Sequence, residues 1–161
     1  MVNEVDVFTS EVKSGMRNTI LKSNAIGSCV VVVAFDQKLK AGAIAHIMLP
    51  GSAPKKNRAN ILKYCDNAIE ELLNQLTLLG CDRSGIETCI VGGANVLRRI
   101  GDKIGDDNIE SVENYLARKN IKIKEKAIGG VLRRSVYLNV EQGKLYITEG
   151  DSESFLLYDF Y

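Results

Sequence analysis

The stretch Gly27-Ser28-Cys29-Val30-Val31-Val32-Val33-Ala34-Phe35 decides the fold. Four successive valines followed by alanine and phenylalanine give the β-branched, apolar composition of a buried strand. Asp36-Gln37-Lys38-Leu39-Lys40 reads as a turn. Ala41-Gly42-Ala43-Ile44-Ala45-His46-Ile47-Met48-Leu49 reads as the antiparallel partner, stopped by Pro50-Gly51. A turn centred on Gln37 and Lys38 would set residue 29 opposite a position near His46.

Toward the N-terminus, Val5-Asp6-Val7-Phe8 partly alternates and suits a short strand, whereas residues 10–22 are polar and assign no element. Toward the C-terminus, residues 51–60 read as a polar surface loop. A helix follows, with Leu62, Cys65, Ile69, Leu72, Leu76 and Leu79 at helical spacing and Gly80 where a C-terminal cap belongs. Residues 87–91 read as a strand ending in Gly92-Gly93, with a tight strand-to-helix turn after it, and 108–119 as a second amphipathic helix. Cys65 and Cys89 fall on apolar faces and read as core. Residues 121–125, 135–140 and 144–148 alternate as strands, the last two joined at Glu141-Gln142-Gly143. The apolar tail 155–161 reads as a final strand, with a docking strip as the alternative.

The 161 residues fit one α/β domain over 1–161. With 45% hydrophobic and 25% charged residues the chain can bury a core, and disorder is excluded. A net charge of +1 supplies no field for gathering nucleic acid or an anionic membrane. No apolar run is long enough to span a bilayer. The start, Met1-Val2-Asn3-Glu4, is not a signal peptide, so the expectation is a cytoplasmic protein with reduced cysteines. The four cysteines form no C-x-x-C pair and a single histidine completes no usual zinc set in an obvious way.

Chemistry concentrates at Gly27-Ser28-Cys29. A tight Gly-Ser turn ahead of a strand can leave backbone N–H groups outside the sheet ladder, where they can hold an oxyanion beside a nucleophile. A cysteine nucleophile needs a base, because a free thiol has a pKa of about 8.5. His46 is the one side chain with a neutral-range pKa, and the hairpin carries it back toward Cys29. A lone histidine in an apolar segment is usually structural, and a lone cysteine before a strand is usually core. Their joint placement favours a Cys-His hydrolase or transferase, but spacing alone leaves both readings open. Ser28 lacks a G-x-S-x-G setting, and the glycines at 92, 93, 129 and 130 form no nucleotide-binding loop.

Gly27-Ser28-Cys29-Val30, with Gly42-Ala43-Ile44-Ala45-His46-Ile47-Met48-Leu49-Pro50, resembles the signature of the CheD family, chemoreceptor glutamine deamidases of chemotaxis. The similarity extends through Lys63-Tyr64-Cys65-Asp66-Asn67-Ala68, Val91-Gly92-Gly93-Ala94, Ile104-Gly105 with Asn108, Gly129-Gly130 with Arg134, and Gln142-Gly143-Lys144. The resemblance implies conversion of receptor glutamines to glutamates, with methyl-ester hydrolysis as a related activity. It implies Cys29 as nucleophile, His46 as general base and acid, and backbone groups near Gly27 and Ser28 as the oxyanion site. The mechanism so implied requires no metal or organic cofactor. The family's third residue, usually threonine, falls at Ser23, which keeps the hydroxyl. Arg133 stands where the family usually has glycine, which bears on the turn before Arg134. The implied fold is a compact, layered α/β sandwich with a mixed β-sheet, similar to cysteine deamidases of the cytotoxic necrotizing factor type. The implied partners are the helical cytoplasmic region of methyl-accepting chemotaxis receptors and a CheC-type phosphatase, which the family can stimulate. A monomer is the expectation for a domain that docks on a long helix.

Overall fold

The computed structural model describes residues 1–56 and 59–161. Ten strands and two α-helices run in the order β1 (Asn3–Asp6), β2 (Val12–Gly15), β3 (Thr19–Ile26), β4 (Val30–Asp36), β5 (Ala41–Ile47), α1 (Cys65–Leu78), β6 (Ile86–Gly92), α2 (Ile104–Arg118), β7 (Lys122–Ile128), β8 (Arg134–Asn139), β9 (Lys144–Glu149) and β10 (Phe155–Asp159). The expected mixed β-structure forms two mixed sheets of five strands, ordered β1-β3-β8-β9-β10 and β2-β5-β4-β6-β7. Each contains one parallel pair, β1 with β3 and β6 with β7.

The valine run becomes the central strand of the second sheet, and every residue of β4 is buried. Its two faces serve two cores. Val30, Val32 and Ala34 pack with Ile69, Leu72 and Leu76 of α1 and with Val112 and Leu116 of α2. Val31, Val33 and Phe35 pack with Leu21, Val136 and Leu138 of the first sheet. The molecule is therefore three layers: helices, sheet, sheet. A strand covered on both sides has no polar face, so its apolar residues run on without alternation.

The hairpin from β4 to β5 pairs Val30 with Ile47 and Val31 with His46. It pivots between Lys38 and Leu39, one residue later than expected, so His46 faces Val31 and Cys29 lies one residue beyond the ladder. Helix α1 starts after a short 3-10 turn at Ile61–Lys63 and ends as the sequence predicts. Gly80 has φ +103°, its N–H donates to the Thr77 carbonyl, and the Cys81 N–H donates to the Leu76 carbonyl. Those two bonds form a Schellman cap.

Three expectations change, and the loop expected over 51–60 holds where described. The polar segment 10–22 contains β2 and the first half of β3. The loop expected over 51–60 is without regular structure where described, and its Asn57 and Arg58 lie outside the described residues. Gly92-Gly93 does not lead tightly into a helix: ten residues without helix or strand separate Gly93 from α2. Helix α2 itself begins four residues earlier than expected, so Asn108 lies within it. The tail is a final strand, as expected: β10 pairs antiparallel with β9, and Phe160 is buried against Phe35.

Candidate active site

Side chains alternate along a strand, so Val31, Val33 and Phe35 mark the face of β4 turned toward the first sheet. Cys29 sits in the bend immediately before β4. His46 is directly opposite Val31 and shares the parity of Ile44, so it projects into the same inter-sheet layer. The hairpin register brings Cys29, one residue before the Val30–Ile47 pair, to the same end of the sheet as His46, which pairs with Val31.

His46 is only 1% exposed. Its backbone is fixed by β2: the His46 N–H donates to the Glu11 carbonyl and its carbonyl accepts from the Ser10 N–H. Its ring is fixed by the opposite sheet, where Ser23 Oγ lies 2.7 Å from Nδ1. Ser23 Oγ also lies 2.6 Å from the Val7 carbonyl oxygen. A carbonyl only accepts, so the serine proton occupies that contact. The proton between Ser23 and His46 then belongs to the imidazole. The tautomer is therefore Nδ1–H, with the lone pair on Nε2. Nε2 is buried and has no hydrogen-bond partner among the described residues.

The thiol sits at the edge of this buried layer. Cys29 is half-buried, while Cys65, Cys81 and Cys89 are buried. Burial pushes the Cys29 thiol pKa up, an effect partly offset by its own backbone N–H. Burial pushes the His46 imidazole pKa down, partly offset by the Val7 carbonyl. Both shifts favour the neutral forms, so the pair rests as thiol and imidazole. Cys65, Cys81 and Cys89 are pushed up to about 12, chiefly by burial, as expected of inert core thiols.

The loop before β4 is held through its carbonyl groups. The Gly27 carbonyl accepts from Ala94 N–H at 2.9 Å and the Cys29 carbonyl from Gly93 N–H at 2.7 Å. The Ser28 carbonyl accepts from Asn108 Nδ2 at 2.9 Å. No N–H of these three residues donates to another residue's acceptor among the described residues. Gly92 and Gly93 make this close approach possible. A Cβ on Gly92 would lie 2.3 Å from the Cys29 carbonyl oxygen, and both glycines have positive φ.

A groove of ≈ 570 Å³ opens over Cys29, walled by Asn95, Leu97, Arg99, Ile104 and Arg133. The wall is braced from behind. Asn95 N–H donates to the Gly130 carbonyl, and buried Arg134 donates from Nη1 to the Gly129 carbonyl and from Nε to Glu149 Oε2. Arg133, the departure noted in the sequence, lies at the groove itself. The sequence reading brought Cys29, His46, Gly27 and Ser28 together from spacing. Ser23 entered only through resemblance, and Asn108 was placed on a helix without a role. Its partner Ser28 is too distant along the chain for any local pattern to mark the contact.

Fold and site together define a layered α/β protein with a half-buried thiol at a groove and, on the hairpin strand that follows, a buried histidine whose Nδ1 lies 2.7 Å from Ser23 Oγ. The family model described as CheD chemotactic sensory transduction matches residues 48–149, and the chain belongs to the CheD family. It is 32% identical over 154 residues to the probable chemoreceptor glutamine deamidase CheD of Chlorobium luteolum, covering 96% of this chain and 77% of the relative. It is 37% identical over 128 residues to the chemoreceptor glutamine deamidase CheD of Thermotoga maritima, covering 80% of each chain. It is 34% identical over 153 residues to a probable chemoreceptor glutamine deamidase CheD of Desulfitobacterium hafniense, covering 91% of this chain and 94% of the relative. The family-model match begins just after His46, whereas the Chlorobium alignment is long enough that it must span Ser23, Cys29 and His46. Among the described residues no helix is long and apolar enough to cross a membrane.

Proposed function

We propose that this protein is a chemoreceptor glutamine deamidase in which Cys29 is the nucleophile and His46 the general base and acid. One observation supports the reading: the half-buried thiol precedes the strand whose hairpin partner carries a buried histidine with Nδ1 2.7 Å from Ser23 Oγ. The relatives' names support chemoreceptor glutamines as the substrate class, and this reading takes them to lie on the helical cytoplasmic region of methyl-accepting chemotaxis receptors.

The chemistry follows from the resting protonation. His46 Nε2 takes the Cys29 proton as the sulfur attacks the glutamine side-chain carbon, forming a C–S bond and an oxyanion. The N–H groups of Ser28 and Cys29 hold that oxyanion. His46 returns the proton to the amide nitrogen, the C–N bond breaks, and ammonia leaves a thioester. His46 then takes a proton from water, the water oxygen attacks the thioester, and the C–S bond breaks. The proton returns to the sulfur and the product is glutamate. Methyl-ester hydrolysis is the same acyl transfer with methanol leaving. Ser23 positions the imidazole and touches no reacting atom.

The same reading places the protein in the cytoplasm as a monomer, with one domain over residues 1–161, and likens its site to that of cytotoxic necrotizing factor-type deamidases. A second role, stimulation of a CheC-type phosphatase, draws support from the exposed Leu97, Ile100 and Ile104 beside the groove. Ammonia release from a receptor cytoplasmic fragment tests the main reading: it should require Cys29, and a Cys29→Ala variant should lose it while retaining phosphatase binding. Undiminished release by Cys29→Ala would refute the assignment.

A further inference from the structure

Asn108 is a buried polar residue that the mechanism above does not use. It is 0% exposed in the interior of α2, where asparagine is a poor helix former. Its Nδ2 donates twice, to the Ser28 carbonyl at 2.9 Å and to the Met48 carbonyl at 3.1 Å. Its Oδ1 has no hydrogen-bond partner among the described residues. A buried, half-satisfied amide costs stability and calls for an explanation.

The two acceptors supply one. Ser28 precedes the candidate nucleophile, and Met48 lies two residues after His46. In a trans peptide unit the C=O and the following N–H point in opposite directions. Drawing the Ser28 carbonyl inward onto Asn108 therefore turns the Cys29 N–H outward. A second observation agrees: the Cys29 N–H donates to no other residue's acceptor among the described residues. The Met48 bond takes the other amide hydrogen, so the side chain cannot rotate away. The helix is also seated closely here. A Cβ on Gly105 would lie 2.4 Å from the Gly93 oxygen, and Gly93 N–H is the group that holds the Cys29 carbonyl.

We propose that Asn108 is a positioning residue for oxyanion stabilisation: it pins the Ser28 carbonyl and thereby aims the Cys29 N–H at the oxygen that becomes charged. A hydrogen bond to a peptide carbonyl also polarises the N–H of the same unit, which strengthens the donor. This inference rests on the reading of Cys29 as the nucleophile. Asn108 acts before the substrate arrives and touches no reacting atom.

Two assays on the full chain separate this role from simple structural support. The first is kcat and KM for glutamine conversion in a receptor cytoplasmic fragment. The second is the rate of Cys29 alkylation by iodoacetamide, which needs a folded site and a thiol but no oxyanion hole. Asn108→Ala and Asn108→Asp should lower kcat roughly 10- to 100-fold while KM and the alkylation rate stay within about threefold of wild type. An unchanged kcat would overturn the proposal. So would a parallel fall of kcat, alkylation rate and melting temperature, which describes a residue that merely supports the fold. If wild type itself converts no glutamine, or Cys29→Ala converts it, the underlying reading fails and this one with it. A wild type that needs Cys29 but tolerates Asn108→Ala overturns this inference alone.

Discussion

Ser23 Oγ stands between His46 Nδ1 at 2.7 Å and the Val7 carbonyl at 2.6 Å, a relay that joins the two sheets and fixes the imidazole tautomer. One hydroxyl does both because it donates to Val7 and accepts from His46. Removing it leaves a buried N–H and a buried carbonyl less well satisfied. Ser23→Ala should lower stability by about 1–3 kcal/mol in chemical denaturation. It should also lower kcat roughly 10- to 100-fold with little change in KM, since the imidazole loses its orientation and not its contact with substrate. Ser23→Thr keeps the hydroxyl and should retain most of the activity. Equal activity in Ser23→Ala and wild type would remove the relay from the account.

The protonation of the pair gives a prediction for the free protein. Burial raises the Cys29 pKa and lowers that of His46. Alkylation of Cys29 should therefore rise on the alkaline side of the ordinary thiol range, with no plateau near neutral pH. A plateau at neutral pH would mean a preformed thiolate–imidazolium pair. Cys65, Cys81 and Cys89 should not react in the native state.

The same depressed imidazole bears on stability. Between the lowered pKa of folded His46 and its ordinary value of 6.5, the unfolded chain binds the extra proton and the folded chain does not. Stability therefore rises with pH through that window and is lost as pH falls through it. His46→Gln should remove this portion of the acid-side loss. Identical stability–pH curves for the variant and wild type over that range would contradict it.

How much of this was legible in the sequence depends on how far apart the deciding residues lie. The β4–β5 hairpin and α1 were legible because the apolar run Val30 to Phe35 and the helical spacing of Leu62 to Leu79 are local signals, and Gly80 marks the helix end. The hairpin register was not, because composition does not fix where a polar turn pivots, and His46 came to face Val31. Strand β3 was hidden by a bulge between Ser23 and Ile26 and by Ala25 at φ +56°, which break its alternation. Cys29 and His46 could be paired through one hairpin. Asn108 could not, since its bond to Ser28 exists only once α2 is docked.

Glycine substitutions test how closely the nucleophile loop is packed. Gly92→Ala would place a Cβ 2.3 Å from the Cys29 carbonyl oxygen, at φ +122°. It should cost about 1–3 kcal/mol of stability from crowding, with further strain from the backbone. It should also depress activity through the displaced Cys29. Gly101→Ala, with nothing within 4 Å at φ +79°, should cost only about 1 kcal/mol from backbone strain. Equal melting temperatures for the two variants would argue against a tightly held loop.

Peptide mass spectrometry of a cognate receptor cytoplasmic fragment tests the central claim most directly. The fragment would be incubated in parallel with wild type, Cys29→Ala and His46→Ala. The account predicts glutamine-to-glutamate conversion at discrete receptor positions with wild type and none with either variant. Conversion that persists in Cys29→Ala, or a folded wild type that converts no glutamine of its cognate receptor, would contradict it.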